Sequence, residues 1–427
     1  MDLFFQLLNN LGHAGLQLLI NPFYYIAILY IVLQYRKQIQ FERKLFHTRL
    51  HSLLNETWRT LLWGLVGGLA ISFVMLFLGI TLAREVIDLI WLVTLVMILA
   101  RVRFLCLAYS AGVIGIAHVI ADRIPYTSNL PGLSWLLKQI ANADIPSLLM
   151  IVAILHLLEG ILIGWQGARM ATPLFLEGKR GKIIGGFQLQ NFWPVPMFVL
   201  VPLQGASTGA IPWGTLLGAD FTSGWSLLAF PAMIGFMELT TSKLPDDQAR
   251  SSSRRLILYG VLMLVLAAAA HYWSPLILVA ALLSIALHEA LIWYSRWYES
   301  KQKPLYVHSL RGLTVLSVIP GSPAAEIGIH TGEILHKVNG LKIKNRADLH
   351  AAMQLNAAFC KLEVVNLQGE IKFLQRALYS GEHHQLGIIL APDQEAMYVM
   401  EGKPVHLLTY LRNKLGGFRS NESGKPM

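Results

Sequence analysis

Four small groups of residues in this chain have types and spacings that do chemistry elsewhere. His288-Glu289 lies in an apolar run and supplies the first half of H-E-x-x-H, in which two imidazoles on one helix face hold zinc and the Glu is the general base. Position 292 is Ile, so one ligand of that pair is absent. His47 and His51, in HTRLH, have the helical i, i+4 spacing but no Glu between them, and they stand in a basic loop. Gly205-Ala206-Ser207-Thr208-Gly209 fits G-x-S-x-G, the pattern that exposes a nucleophilic serine on a strand-to-helix elbow. No βα unit surrounds it, and Pro202 and Pro212 flank it, so it reads as a flexible loop. His156 and Glu159, three apart in an apolar run, have the spacing of an ion relay or of a polar helix contact. With no second acidic cluster beside them, packing is the reading taken. No catalytic residue, metal or cofactor follows from these groups.

The elements that carry these residues are made for lipid. Of 427 residues, 54% are hydrophobic and 14% charged, with a mean hydropathy of +0.50, where soluble domains carry roughly 25% charge. Crossing a bilayer takes about 20 helical residues, and apolar runs near that length occur at 15–35, 61–82, 104–121, 146–164, 256–273 and 275–294. Three further segments complete a nine-span reading. The segment 86–100 is short and carries Asp88, while 192–217 and 225–242 are interrupted by Pro194, Pro196, Pro202, Pro212 and Pro231. Proline is tolerated in a membrane helix when neighbours satisfy the freed carbonyls. The same texture fits the broken helices of a transporter, but no repeat between halves accompanies it. The expectation is an α-helical polytopic membrane domain of about 8–9 spans over residues 1–298.

The formal net charge of +10 sits mostly in short loops between apolar runs, which points to topology or anionic lipid rather than nucleic acid. Basic loops around 36–59, 169–182 and 243–255 are expected on the cytoplasmic side, as is everything after Arg296. Nine spans place the N-terminus outside and eight place it inside. The loop 36–58 carries Arg36, Lys37, Arg43, Lys44 and Arg49, with Ile39, Phe46, Leu50, Leu53 and Leu54 at helical spacing among them. It reads equally as an amphipathic helix on the inner leaflet or as a helical extension of a span. The two cysteines, Cys106 and Cys360, give neither a disulfide framework nor a Cys-rich zinc site. The first basic residue is Arg36, so no charged n-region of a signal peptide is apparent.

After residue 304 the pattern changes to strand-like alternation punctuated by glycine: GLTVLSVI, PGSPAAEIGI, GEILHKVNG, a helix capped by Asn345 with Asp348 three residues on, then KLEVVNL and EIKFLQRAL. Ile319-Pro320-Gly321-Ser322-Pro323-Ala324, Ile327-Gly328-Ile329, Gly332-Glu333-Ile334 and Val338-Asn339-Gly340 resemble the core of a PDZ domain. Such domains bind an extended peptide as an added strand, with its carboxylate in a nest of backbone N–H groups. The Leu-Gly-hydrophobic turn that forms the nest is missing before GLTVLSVI and recurs downstream as Leu386-Gly387-Ile388-Ile389. The expectation is a small α+β PDZ-like domain over 304–393, circularly permuted as in bacterial PDZ domains. Its nest is then at Leu386 to Ile388, and Leu349 and Met353 either line the groove or fill the core. Residues 394–427 form an extension whose tail reads as disordered.

A membrane domain without a catalytic set, ending in one PDZ-like module, resembles the MinJ family of cell-division topology proteins of Gram-positive rod-shaped bacteria. NPFYY with its basic continuation and FERKLFH, EGILIGWQGAR, and GEHHQLGIILAP carry that likeness. The resemblance implies a non-enzymatic scaffold at septum and poles that links a DivIVA-like polar protein to the MinC inhibitor and its MinD-like ATPase. The contrasting classes are a site-2-protease-like enzyme and a transporter with a regulatory PDZ domain.

Overall fold

The computed structural model describes residues 2–123, 131–178, 181–202, 215, 217, 224–356, 358–377 and 386–393. The G-x-S-x-G motif at 205–209 and the extension 394–427 lie outside the described residues.

Helices α1 (Asp2–Ile20) and α2 (Pro22–Phe46) form a pair bent by 57° at Asn21, whose side chain accepts from the Phe23 N–H while Pro22 opens α2. Then come α3 (Leu53–Leu78), α4 (Arg84–Ala100), α5 (Leu107–Ala121), α6 (Pro131–Ala141) and α7 (Ile145–Gln166). Strands β1 (Thr172–Glu177), β2 (Ile183–Pro202) and β3 (Trp225–Thr240) follow, and α8 (Pro245–Tyr272) and α9 (Leu276–Lys301) close this region. Helix α7 is apolar all round and is the core element, in contact with α3, α5, α8, α9 and β3. By contrast α3 exposes Leu65, Leu69 and Phe73, and α8 exposes Leu258, Val261 and Val265. Contiguous apolar faces of this kind mark surfaces that meet lipid or another protein rather than water. Among the described residues, four helices, α3, α7, α8 and α9, are long and apolar enough to cross a bilayer, or five spans if the bent pair counts as one. The chain is a membrane protein.

Two of the nine segments counted as spans are not helical: 192–202 and 225–240 belong to the paired antiparallel strands β2 and β3, in register from Phe187↔Thr240 to Pro202↔Trp225. The prolines explain why. Beyond Gln188 the far side of β2 has no strand partner among the described residues, and Pro194, Pro196 and Pro202 all fall on the alternate positions that face that side. A strand presents N–H and C=O groups of alternate residues to the same edge, so proline there removes donors that would otherwise be bare. Phe198, of the same parity, donates its N–H to Ser72 Oγ at 2.8 Å, and the Leu200 carbonyl accepts from the Leu82 N–H at 3.0 Å. Helix α3 covers this edge through Gly64 and Gly68, where an added Cβ would fall on the carbonyl oxygens of Pro194 and Pro196. An open sheet edge is thereby satisfied in an apolar setting.

The loop expected over 36–58 is mostly helix: α2 runs on to Phe46 as a continuation of the apolar segment, ends at His47 with φ +54°, and α3 begins at Leu53. The helical-extension alternative is the observed one. Glu42, fully buried, organises the break by accepting from the N–H groups of Leu50 and His51, from Thr172 Oγ1 at 3.1 Å and from His51 Nδ1 at 2.5 Å. His51 Nε2 lies 2.9 Å from the Arg169 carbonyl. Both ring nitrogens face acceptors, so both carry protons. Burial opposes that charge, but the hydrogen bond to Glu42 and its carboxylate outweigh burial and raise the His51 pKa.

The C-terminal module is a second sheet of order β8-β7-β5-β4-β9, with β6 paired to β5. Its elements are β4 (Leu313–Val318), α10 (Pro323–Glu326), β5 (Ile334–Val338), β6 (Leu341–Lys342), α11 (Arg346–Gln354), β7 (Phe359–Val365), β8 (Ile371–Ala377) and β9 (Ile388–Leu390). The expected start signal of α11 holds. Ser322 caps α10, and Asn345 with Asp348 forms a reciprocal capping box on α11. Asn339 and Gly340 take φ of +49° and +85° in the turn between β5 and β6. The last described strand pairs the first (Val318↔Ile388).

Candidate functional site: the groove beside the last strand

Strand β9 is the outermost strand of the module's sheet, and helix α11 packs on β5 and β6. In PDZ domains an extended peptide adds as a further strand along such a sheet edge, facing a helix. The turn entering β9 is held by its carbonyls: Leu386 accepts from the Ala324 N–H at 2.9 Å and Gly387 from the Ile319 N–H at 2.8 Å. Gly387 has φ +78°, and an added Cβ there would collide with Ser322. Among the described residues, the Gly387 N–H has no acceptor. Backbone N–H groups so presented make an anion nest.

The side chains divide by alternation along β9. Leu386 and Leu390 are buried in the module's own core, and Ile388 is half-buried against it. Ile389 points the other way, into the core shared with the membrane region beside Tyr306 and Leu316. On α11, Met353 is buried in the module's core and Leu349 is half-buried against it. Ile388 and Leu349 are therefore the apolar side chains left partly open on the two walls.

At the far end of the groove, Asp393, just beyond β9, ion-pairs with Arg346 Nε at the start of α11 (3.2 Å) and with His308 Nε2 (3.2 Å). Nothing in the sequence pattern joins these three, because two are fixed by chain ends that meet only in the permuted fold. The basic residues Arg36, Lys37, Arg43 and Lys44 on α2, and Arg49 after it, are all exposed.

The residues weighed for catalysis distribute unevenly. His47 and His51 do not converge, since His51 is held by Glu42 and Arg169 while His47 caps α2. Glu289 accepts from Tyr109 Oη at 2.8 Å and pairs with Arg103 at 3.0 Å. His156 and His288, set aside separately as packing and as half of a motif, meet each other at Cys106.

Residues 314–366 match the PDZ domain family. The whole chain is similar to the cell division topological determinant MinJ of Bacillus subtilis (strain 168), 31% identical over 394 residues that cover 90% of this chain and 95% of the relative. It is also 26% identical over 373 residues to a probable cell division topological determinant MinJ of Lacticaseibacillus paracasei, covering 83% and 91% of the two chains. No solved structure matches.

Proposed function

This chain belongs to the MinJ family of cell division topological determinants, and from that premise we propose that it is a membrane scaffold for division-site selection. It places a peptide-binding module at the cytoplasmic face, at septum and poles, where it bridges a DivIVA-like polar protein and the MinC inhibitor with its MinD-like ATPase. The observation that carries this reading is the free edge of β9 beside the half-buried Ile388 and Leu349, with the Gly387 N–H at its entrance. Leu386, Gly387 and Ile388 form the end that takes a carboxylate, with Leu349 and Met353 behind the first side-chain pocket; Ile389 supports the strand from the opposite face. A multi-pass anchor with Arg36, Lys37, Arg43, Lys44 and Arg49 against anionic lipid headgroups holds the module at the inner leaflet. The reading assigns no catalytic step to the chain.

The test is capture of purified DivIVA-like and MinD-like proteins by the full chain in detergent, comparing wild type with Leu349→Lys and Ile388→Lys. At unchanged thermal midpoint, the variants should lose recovery of at least one partner. Equal recovery of both partners by all three proteins discards the groove.

A further inference from the structure

Among the described residues, one group of three side chains could hold a metal ion: Cys106, His156 and His288. They come from three places in the membrane region, the residue before α5, the middle of α7 and the middle of α9. Cys106 Sγ lies 3.3 Å from His156 Nε2 and 3.6 Å from His288 Nε2, and all three donor atoms are within 4.8 Å of one another.

Proton counting shows what the cluster lacks. His156 Nδ1 is 2.7 Å from the Val152 carbonyl, which can only accept, so Nδ1 carries the proton and Nε2 offers a lone pair. His288 Nδ1 is 3.1 Å from Tyr109 Oη, whose own proton goes to the Glu289 carboxylate at 2.8 Å. The tyrosine oxygen therefore accepts from His288 Nδ1–H, and His288 Nε2 also offers a lone pair. Two lone pairs converge on one thiol, which has one proton and can satisfy one of them. The other is left facing sulfur in a largely buried site.

A cation resolves this. Around four-coordinate Zn2+, with Zn–S about 2.3 Å and Zn–N about 2.0–2.1 Å, sulfur and nitrogen ligands stand about 3.6 Å apart, which is close to both observed separations. The partners on Nδ1, a backbone carbonyl and a tyrosine hydroxyl backed by a carboxylate, are of the kind that orient metal-binding histidines. The three residues also line a 2710 Å³ cavity, as does Glu159. Thiolate with two imidazoles suits a borderline or soft d10 ion and not a hard one such as Mg2+.

We infer that Cys106, His156 and His288 form a binding site for a d10 metal ion, Zn2+ or Cu+, that ties α5, α7 and α9 together. Binding forms one metal–sulfur and two metal–nitrogen bonds and releases the thiol proton to solvent.

The full chain, purified in detergent with a tag that binds no metal and without chelator, is analysed for its elements before and after incubation with Zn2+ or with Cu+ under reductant. The expected result is about one ion per chain, with elemental identity separating zinc from copper, and a loss of at least tenfold in Cys106→Ser and His156→Gln but not in Cys360→Ser. Should those variants fail to fold, wild type loaded with Co2+ decides: a thiolate-to-cobalt charge-transfer band supports the site. Wild type that binds neither ion, variants that bind as wild type does, or bound cobalt without that band would each overturn it.

Discussion

Tyr306 sits directly on Gly185: its carbonyl accepts the Gly185 N–H at 2.9 Å, and an added Cβ at Gly185 would lie 2.9 Å from the tyrosine Cβ and 3.0 Å from Leu316 Cδ1. The tyrosine is fully buried, its ring is edge-on to Phe187, and its hydroxyl donates to the Lys243 carbonyl at 3.0 Å. The soluble module is thereby docked on β2 rather than hung from α9 by a loose linker. Gly185→Val should overpack this contact, at a cost of about 1–3 kcal/mol, and undock the module. Hydrogen exchange reads it as faster exchange at 183–188 and 305–319 with β5 and β7 unchanged; unaltered exchange in both segments contradicts the docking.

The covered edge of β2 predicts an unusual asymmetry for proline. Pro194→Ala adds an N–H beneath α3, where it lacks an acceptor, and should cost about 1–3 kcal/mol although alanine is smaller. Gly68→Val should cost more, since its Cβ falls on the Pro196 carbonyl. Thermal unfolding in detergent measures both, and a stabilising Pro194→Ala would refute the edge assignment.

The His51–Glu42 pair predicts a pH dependence of defined sign. The folded-state pKa of His51 is raised, so its contribution is complete below the unfolded value of about 6.5. It is lost as pH rises through the folded value. The stability advantage of wild type over His51→Gln should therefore be largest near about pH 6 and shrink on the alkaline side. Glu42→Gln should lower the His51 titration, followed by NMR, because the strongest interaction opposing burial is then gone. An advantage that grows with pH would reverse the assignment.

Arg346 and Asp393 pair the start of α11 with the end of β9, and in the proposed groove a long peptide passes them. Asp393→Asn should leave the module folded, since exposed pairs contribute about 0–1 kcal/mol. It should change recovery of partners bound through more than a few residues while sparing short C-terminal peptides. Fluorescence anisotropy with peptides of graded length distinguishes these, and equal effects at every length would rule out a role at the exit.

Much of the module was legible because its signals are local. The caps at Ser322 and Asn345, the Asn339-Gly340 turn and the displaced Leu386-Gly387-Ile388 each depend on a few adjacent residues. Long apolar helices such as α7 and α9 were legible through hydropathy. The β2–β3 hairpin was not, because apolar strands and apolar helices share a composition. The discriminating signal was the parity of Pro194, Pro196 and Pro202, which fits one edge of a strand and no face of a helix. The side of β9 that Ile389 faces is set by a core built from distant residues, Tyr306 and Leu316 among them. Cys106, His156 and His288 gave no joint signal, being brought together from separations of 50 and 182 residues.

The central claim concerns place, so the most direct measurement is the position of the full chain, fused to a fluorescent protein and expressed at native level in its own cells. The account predicts enrichment at septa and poles, filamentation or misplaced septa on deletion, and loss of rescue when Leu349→Lys or Ile388→Lys is supplied in place of wild type. Even distribution over the membrane, with normal division in the deletion strain, would contradict it.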